Sequence, residues 1–125
     1  MRDTAYVLFL SAVICIIAGM LWGIQMAISD DHLLAPAHAH LNLVGWATLA
    51  LFGIYYRLTP TANGTVLSRI HAGCAIFGVV ILVPGISIVV QGGTAASASA
   101  GAVLSLTSMT IFLITVVRHG FGVRA

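Results

Sequence analysis

The chain has 125 residues, of which 60% are hydrophobic and only 6% are charged, and its mean hydropathy is +1.10. In soluble domains about a quarter of the residues are charged, so this composition predicts an integral membrane protein. We expect a single transmembrane domain over 1–125. The net charge is +2, and all five basic residues are arginines at the ends of apolar runs. That distribution excludes a nucleic-acid-binding patch.

Four apolar segments are each long enough to cross a bilayer, because about 20 helical residues span the hydrocarbon core. Short polar connections containing glycine or proline separate the segments. We predict an all-α fold, an up-down bundle of four transmembrane helices at about 4–28, 37–58, 65–91 and 95–117.

Several positions carry local structural signals. Pro36 suits the first turn of the second helix, where its missing N–H is not needed. Pro84 lies inside the third helix and predicts a kink, and Gly120 suits the C-terminal cap of the fourth. Small residues recur every four positions on the fourth helix and favour close contact, either within the bundle or between copies: Ser97, Gly101 and Ser105.

The charges predict an orientation. If the helices alternate in direction, all five arginines fall on one side of the membrane, and Asp30 and Asp31 fall on the other. The positive-inside rule then places both termini in the cytoplasm. In a bacterium, we expect the protein in the inner membrane. The histidines are sorted by the same alternation: the outer side receives His32, His38 and His40, and the inner side receives His71 and His119.

The most informative motif is His38-Ala39-His40, at the start of the second apolar segment. Ionisable side chains are rare in membrane segments and usually have a function there. Residues i and i+2 of a helix point about 200° apart, so the two histidines face nearly opposite sides. One helix could thus serve two sites, or one histidine could ligate while the other hydrogen-bonds. A non-helical start would instead let both join His32 and the adjacent aspartates in a zinc or copper site.

Other polar and aromatic residues have simpler interpretations. His71 follows Arg69 closely and is interpreted as a solvated interfacial residue, with a ligand or proton-relay role as the alternative. Tyr55 and Tyr56 are interpreted as part of an interfacial aromatic belt. Trp46 is equally consistent with packing and with lining the edge of a cofactor.

His38-Ala39-His40-Leu41, followed by Gly45, resembles the His-x-His-Leu-x-x-x-Gly pattern in a late helix of the catalytic subunit of haem–copper oxidases. The likeness is nearest to the nitric oxide reductase branch, in which the two histidines ligate two haems on opposite sides of the helix. His40, Asn42 and Trp46 also resemble an earlier helix of that subunit, where one histidine ligates the low-spin haem. The resemblance implies His40 as the first haem-ligand candidate and His38 as the second, with Gly45 and Trp46 beside the cofactor.

The same resemblance implies an assembly. The family subunit is similar to three arcs of four helices around a pseudo-threefold axis, about twelve helices in all. Three copies of a four-helix chain would supply the same number of helices. A homotrimer in membrane lipid is therefore implied, with haem b held near the outer side by His40. Its role would be electron transfer or the handling of a diatomic gas, with a redox partner. The sequence has no Cys-x-x-Cys-His, which excludes covalent haem attachment, and it leaves open whether the protein is an enzyme.

Two other functions remain open. One is a zinc or copper site at the outer face, built from His32, His38, His40 and the two aspartates. The other is a non-catalytic accessory subunit of a respiratory complex, whose histidines only hydrogen-bond. A haem protein would be red, a zinc or copper protein would carry stoichiometric metal, and an accessory subunit would show neither property.

Overall fold

The structure is a computed structural model that describes residues 3–123. Within this range the fold is entirely helical, and each of its four main helices is long and apolar enough to cross a membrane. The all-helical, four-helix prediction is confirmed, and every predicted boundary lies within two residues of the observed one. Arg2 and Arg124, which belong to the predicted charge pattern, lie outside the described residues. The helices are α1 (Thr4–Ser29), α2 (Ala35–Leu58), α3 (Val66–Val90) and α4 (Ala96–His119).

The ends of the helices follow the local sequence. Asp3 caps α1 by accepting a hydrogen bond from the Tyr6 N–H at 2.9 Å, and Thr65 caps α3 in the same manner. Pro36 lies in the first turn of α2, as predicted. Gly120 ends α4 with a φ of 72°, a conformation that glycine adopts without strain, and this prediction is also confirmed. Each of these residues suits a helix end, because it accepts a hydrogen bond from a free backbone N–H, has no N–H of its own, or adopts a backbone conformation that ends the helix.

Consecutive helices run antiparallel. Gly53 on α2 packs against the Phe9 backbone near the start of α1, whereas His38 at the start of α2 lies against Gly23. The short connections allow only neighbouring antiparallel helices, which is the up-down arrangement expected from the sequence. Pro84 lies inside α3 without ending it, and the predicted kink stays a prediction.

Small residues bring α3 and α4 together. A Cβ on Gly101 would lie 2.5 Å from the backbone nitrogen of Leu82, and a Cβ on Gly78 would lie 2.9 Å from the Ser105 hydroxyl. Gly85 meets the backbone of α4 in the same way. The row of small residues on α4 therefore serves contacts within the bundle, one of the two uses that the sequence left open.

Part of α2 is wider than an ordinary α-helix. Its segment Leu41–Thr48 is a π-helix, which the sequence analysis did not predict. Gly45 lies in the middle of this segment and is buried; a Cβ there would lie 3.0 Å from the Cys15 sulfur and 3.2 Å from a Val79 methyl. The wide turn is thus enclosed by α1 on one side and α3 on the other. Such π segments are rare and frequently occur at functional sites.

Candidate functional site

The histidines lie at two ends of the bundle. His38 contacts Gly23 near the end of α1, whereas His71 is hydrogen-bonded to Tyr56 near the opposite end of α2. His38 and His40 are therefore separated from His71 by most of the length of the bundle, as the sequence predicted. One chain cannot bring the two groups to a single metal ion.

His40 is held by a hydrogen bond to its own helix. Its Nδ1 lies 2.7 Å from the Pro36 carbonyl oxygen. Because a carbonyl only accepts, Nδ1 is the donor of this hydrogen bond, and in the neutral imidazole the lone pair is then on Nε2. His40 is exposed, and the neighbouring apolar side chains Pro36 and Leu43 are exposed with it. A backbone carbonyl on one ring nitrogen is the usual means of orienting the other nitrogen toward a metal.

His38 instead turns toward α1. Its Nε2 lies 3.3 Å from the Asn42 side-chain nitrogen, and its ring meets Trp22 edge-on with centroids 6.0 Å apart. Gly19 and Gly23 on α1 leave the room that Asn42 and His38 occupy. The His38 Nδ1 and the Asn42 Oδ1 are buried and have no hydrogen-bond partner within residues 3–123. The two histidines of the motif thus have separate surroundings, in agreement with their angular separation.

The predicted zinc or copper ligands are not brought together in one chain. His32 lies exposed in the α1–α2 connection. Across residues 3–123, no three histidine, cysteine, aspartate or glutamate side chains are grouped so that they could hold a metal ion. A site using His32, His38 and His40 would therefore need a different side-chain arrangement or a second chain.

The other two predicted cofactor contacts lie away from the exposed face. Gly45 is buried between α1 and α3, where Cys15 and Val79 fill the space left by its missing side chain. Trp46 is partly buried and packs against the apolar core. In a single chain both residues contribute to helix packing, and the proposed Trp46 contact with a haem edge stays a prediction.

His71 is one of three residues whose environment differs from the prediction made from the sequence. It is fully buried, its Nδ1 lies 2.9 Å from the Tyr56 hydroxyl, and Phe52 and Phe112 lie against its ring with centroids 4.5 Å and 5.6 Å away. Its Nε2 has no partner within the part of the chain that the structure describes. The prediction of a solvated interfacial histidine is wrong, because α2 and α4 cover this side of α3.

The two tyrosines are also buried, so the predicted interfacial belt is wrong for both. Tyr55 donates its hydroxyl to the Gly120 carbonyl at 2.7 Å, and Tyr56 pairs with His71. The sequence did contain a signal for the burial of His71. His71 shares the i, i+4, i+7 stripe of α3 with Ala75 and Gly78, and this stripe faces the bundle.

Comparison with known proteins found no matching family model, no matching curated sequence and no matching solved structure. The class of the protein is therefore defined by its own fold and site. It is a four-helix bundle with four potential membrane spans, carrying an exposed, oriented histidine at the start of its second helix.

Proposed function

We propose that this chain is a haem-binding integral membrane protein in which His40 is an axial ligand of a b-type haem. The observation that carries the proposal is the hydrogen bond from His40 Nδ1 to the Pro36 carbonyl, which leaves Nε2 of this exposed side chain as the nitrogen available to a ligand. A b-type haem needs an axial ligand and an apolar slot. Exposed Pro36 and Leu43 supply apolar surface beside the imidazole. The likeness of His38–Leu41 to the haem–copper oxidase pattern supports the same assignment.

The proposed membrane is the inner membrane of a bacterium, with both termini in the cytoplasm. The support is the charge distribution over the two ends of the bundle. Arg57, Arg69 and Arg118 lie at one end, whereas Asp30 and Asp31 lie in the connection at the other. Under the positive-inside rule the arginine end faces the cytoplasm, and His40 is near the outer face.

The proposed assembly is a homotrimer. Because His40 is exposed on the outside of the bundle, one chain supplies only one wall of a haem site, and a neighbouring copy would supply the other. Haem iron provides one-electron exchange or the binding of a diatomic gas. The role of this chain is to orient the imidazole: the Pro36 carbonyl accepts the Nδ1 hydrogen bond, which fixes the ring.

The test is an absorption spectrum of the purified protein, oxidised and dithionite-reduced, with metal analysis of the same sample. The wild type is expected to show a Soret band with sharp reduced α and β bands. His40→Ala should lose them, whereas His119→Ala, which alters a histidine at the other end of the bundle, should keep them. A His40→Ala protein with undiminished haem would refute the assignment. A haem-free wild type with about one zinc or copper per chain would favour the alternative, a zinc or copper site at the outer face.

A further inference from the structure

A groove opens between the start of α1 and the start of α3, at the arginine-rich end of the bundle. Its volume is about 610 Å³, which lies within the range of small-ligand sites. A Cβ on Gly73 would meet no neighbouring atom within 4 Å, so the chain itself leaves this space unfilled. The inner wall is apolar and is formed by Val7, Ala72, Gly73 and Ile76.

The mouth of the groove carries one arginine and one aspartate. Arg69 lines it, is exposed, and has no carboxylate within ion-pair distance among residues 3–123. Asp3 also lies at the mouth, but hydrogen bonds from the Tyr6 N–H and the Asn63 side chain, together with nearby Arg57, hold the pKa of this carboxyl below its usual value. The Asp3 charge is opposed by Arg57 at 3.6 Å. The charge of Arg69 is therefore left for an anion from outside the chain.

We propose that this groove binds one anionic phospholipid, with the phosphate at Arg69 and an acyl chain along Val7, Gly73 and Ile76. A guanidinium matches the geometry of a phosphate. Arg69 lies at the end of an apolar slot, and the phosphate of a lipid lies at the end of its acyl chains in the same way. Cationic pockets between membrane helices on the cytoplasmic side bind anionic headgroups. The inference rests on the membrane orientation proposed above, and it does not depend on haem.

A second groove of the bundle serves as a comparison for the proposed site. It lies between α1 and α2, has a volume of about 290 Å³ and is lined mainly by apolar residues. Among residues 3–123 the one arginine that lines it is Arg57, which already forms the ion pair with Asp3. Apolar space without an available cation would accept an acyl chain of any lipid, so it would not favour an anionic headgroup.

The test is a lipid titration of the full chain, stripped of lipid in a neutral detergent. Phosphatidylglycerol or phosphatidylcholine with the same acyl chains is added, and thermal unfolding is followed by the fluorescence of Trp22 and Trp46. The wild type should reach half of its maximal stabilisation at about fivefold lower phosphatidylglycerol than phosphatidylcholine, since one arginine near the headgroup has an effect of that order. Equal half-saturation by the two lipids would overturn the proposal.

Three variants separate a built site from a diffuse charge effect. Arg69→Gln should lose the preference for phosphatidylglycerol, and Arg118→Gln, an exposed arginine at the same end, should keep it. Gly73→Leu should fill the slot and weaken the binding of both lipids without lowering the lipid-free unfolding temperature, because a Cβ at this position meets open space and the rest of the side chain can extend into the groove. An equal loss in the two arginine variants, or unchanged binding in Gly73→Leu, would refute the site.

The Soret band is recorded on the same samples, so the two proposals can fail separately. A wild type that keeps its Soret band but shows no preference between the lipids would reject the lipid site alone. A wild type without haem that still prefers phosphatidylglycerol would support the lipid site and reject the haem assignment.

Discussion

At the scale of single residues, the bundle buries polar atoms that it does not satisfy. The His71 Nε2, the His38 Nδ1 and the Asn42 Oδ1 have no partner within residues 3–123. A buried polar atom without a hydrogen bond typically costs about 1–3 kcal/mol of stability. Such atoms therefore mark positions where packing alone does not explain the choice of residue. One group lies at each end of the molecule, His38 and Asn42 beside α1 and His71 beneath α4.

The hydrogen bond between Tyr56 and His71 predicts a coupled pair. Tyr56→Phe should leave both ring nitrogens of His71 without a partner and lower the free energy of unfolding by about 1–3 kcal/mol. His71→Phe should leave the Tyr56 hydroxyl unpaired at a comparable cost. The double variant should be less destabilised than the sum of the two, by about 0.5–3 kcal/mol, because it removes both polar groups together.

The measurement for this cycle is denaturant unfolding in mixed micelles, with Tyr6→Phe as the control. Tyr6 is an exposed tyrosine near the same end of the bundle, and its loss should change stability by less than about 0.5 kcal/mol. Additive effects of Tyr56→Phe and His71→Phe would show that the two side chains are not energetically coupled.

At the scale of the helices, α2 and α3 form the centre of the bundle. In their most apolar windows 33% of the residues are buried, compared with 17% in α1 and in α4. The outer helices therefore expose most of their apolar surface and need lipid or another chain to cover it. The buried polar pair Tyr56 and His71 lies on these two central helices.

The close approach of α3 and α4 predicts opposite effects for two glycine substitutions. Gly101→Ala should destabilise the bundle by about 1–3 kcal/mol, because its Cβ would overlap the backbone of Leu82. Gly73→Ala should be neutral or stabilising by up to about 1 kcal/mol, because alanine favours a helix and its Cβ meets open space. The unfolding midpoints of the two variants in the same detergent check this. Equal midpoints would mean that α3 and α4 can move apart without cost.

The π-helical segment of α2 is an element that local sequence did not predict. Residues 41–48 contain no proline, and their hydropathy is compatible with an ordinary α-helix. What distinguishes the segment is the placement of Gly45 between Cys15 of α1 and Val79 of α3. The segment therefore lies where two helices that are distant in the sequence meet it, and local hydropathy carries no information about those contacts.

At the scale of the whole molecule, the exposure of His40 predicts self-association. The haem site proposed here is incomplete in one chain, so the particle purified in mild detergent is expected to have the protein mass of three chains. Light scattering corrected for bound detergent measures this mass. Removal of haem in His40→Ala should lower the stability of the trimer, since a ligand shared between copies favours the assembled state. A monodisperse monomer or dimer of the wild type would contradict this assembly.

Three properties follow from the amino-acid sequence alone: which segments are helices, where the helices end, and which histidines share an end of the bundle. These properties depend on hydropathy, on segment length and on alternation along the chain, all of which are local. The sequence also identified His40 as the histidine to examine, and the structure places that side chain exposed and oriented by Pro36.

Which side of each helix faces its neighbours is visible only in the tertiary structure. It buried His71, Tyr55 and Tyr56, which the sequence analysis had placed at the interface, and it assigned the small residues of α4 to the contact with α3. The physical reason is that hydropathy fixes how deep a residue lies in a membrane but not the rotation of the helix about its axis. When nearly every face is apolar, periodicity is weak, and packing against the other helices sets that rotation.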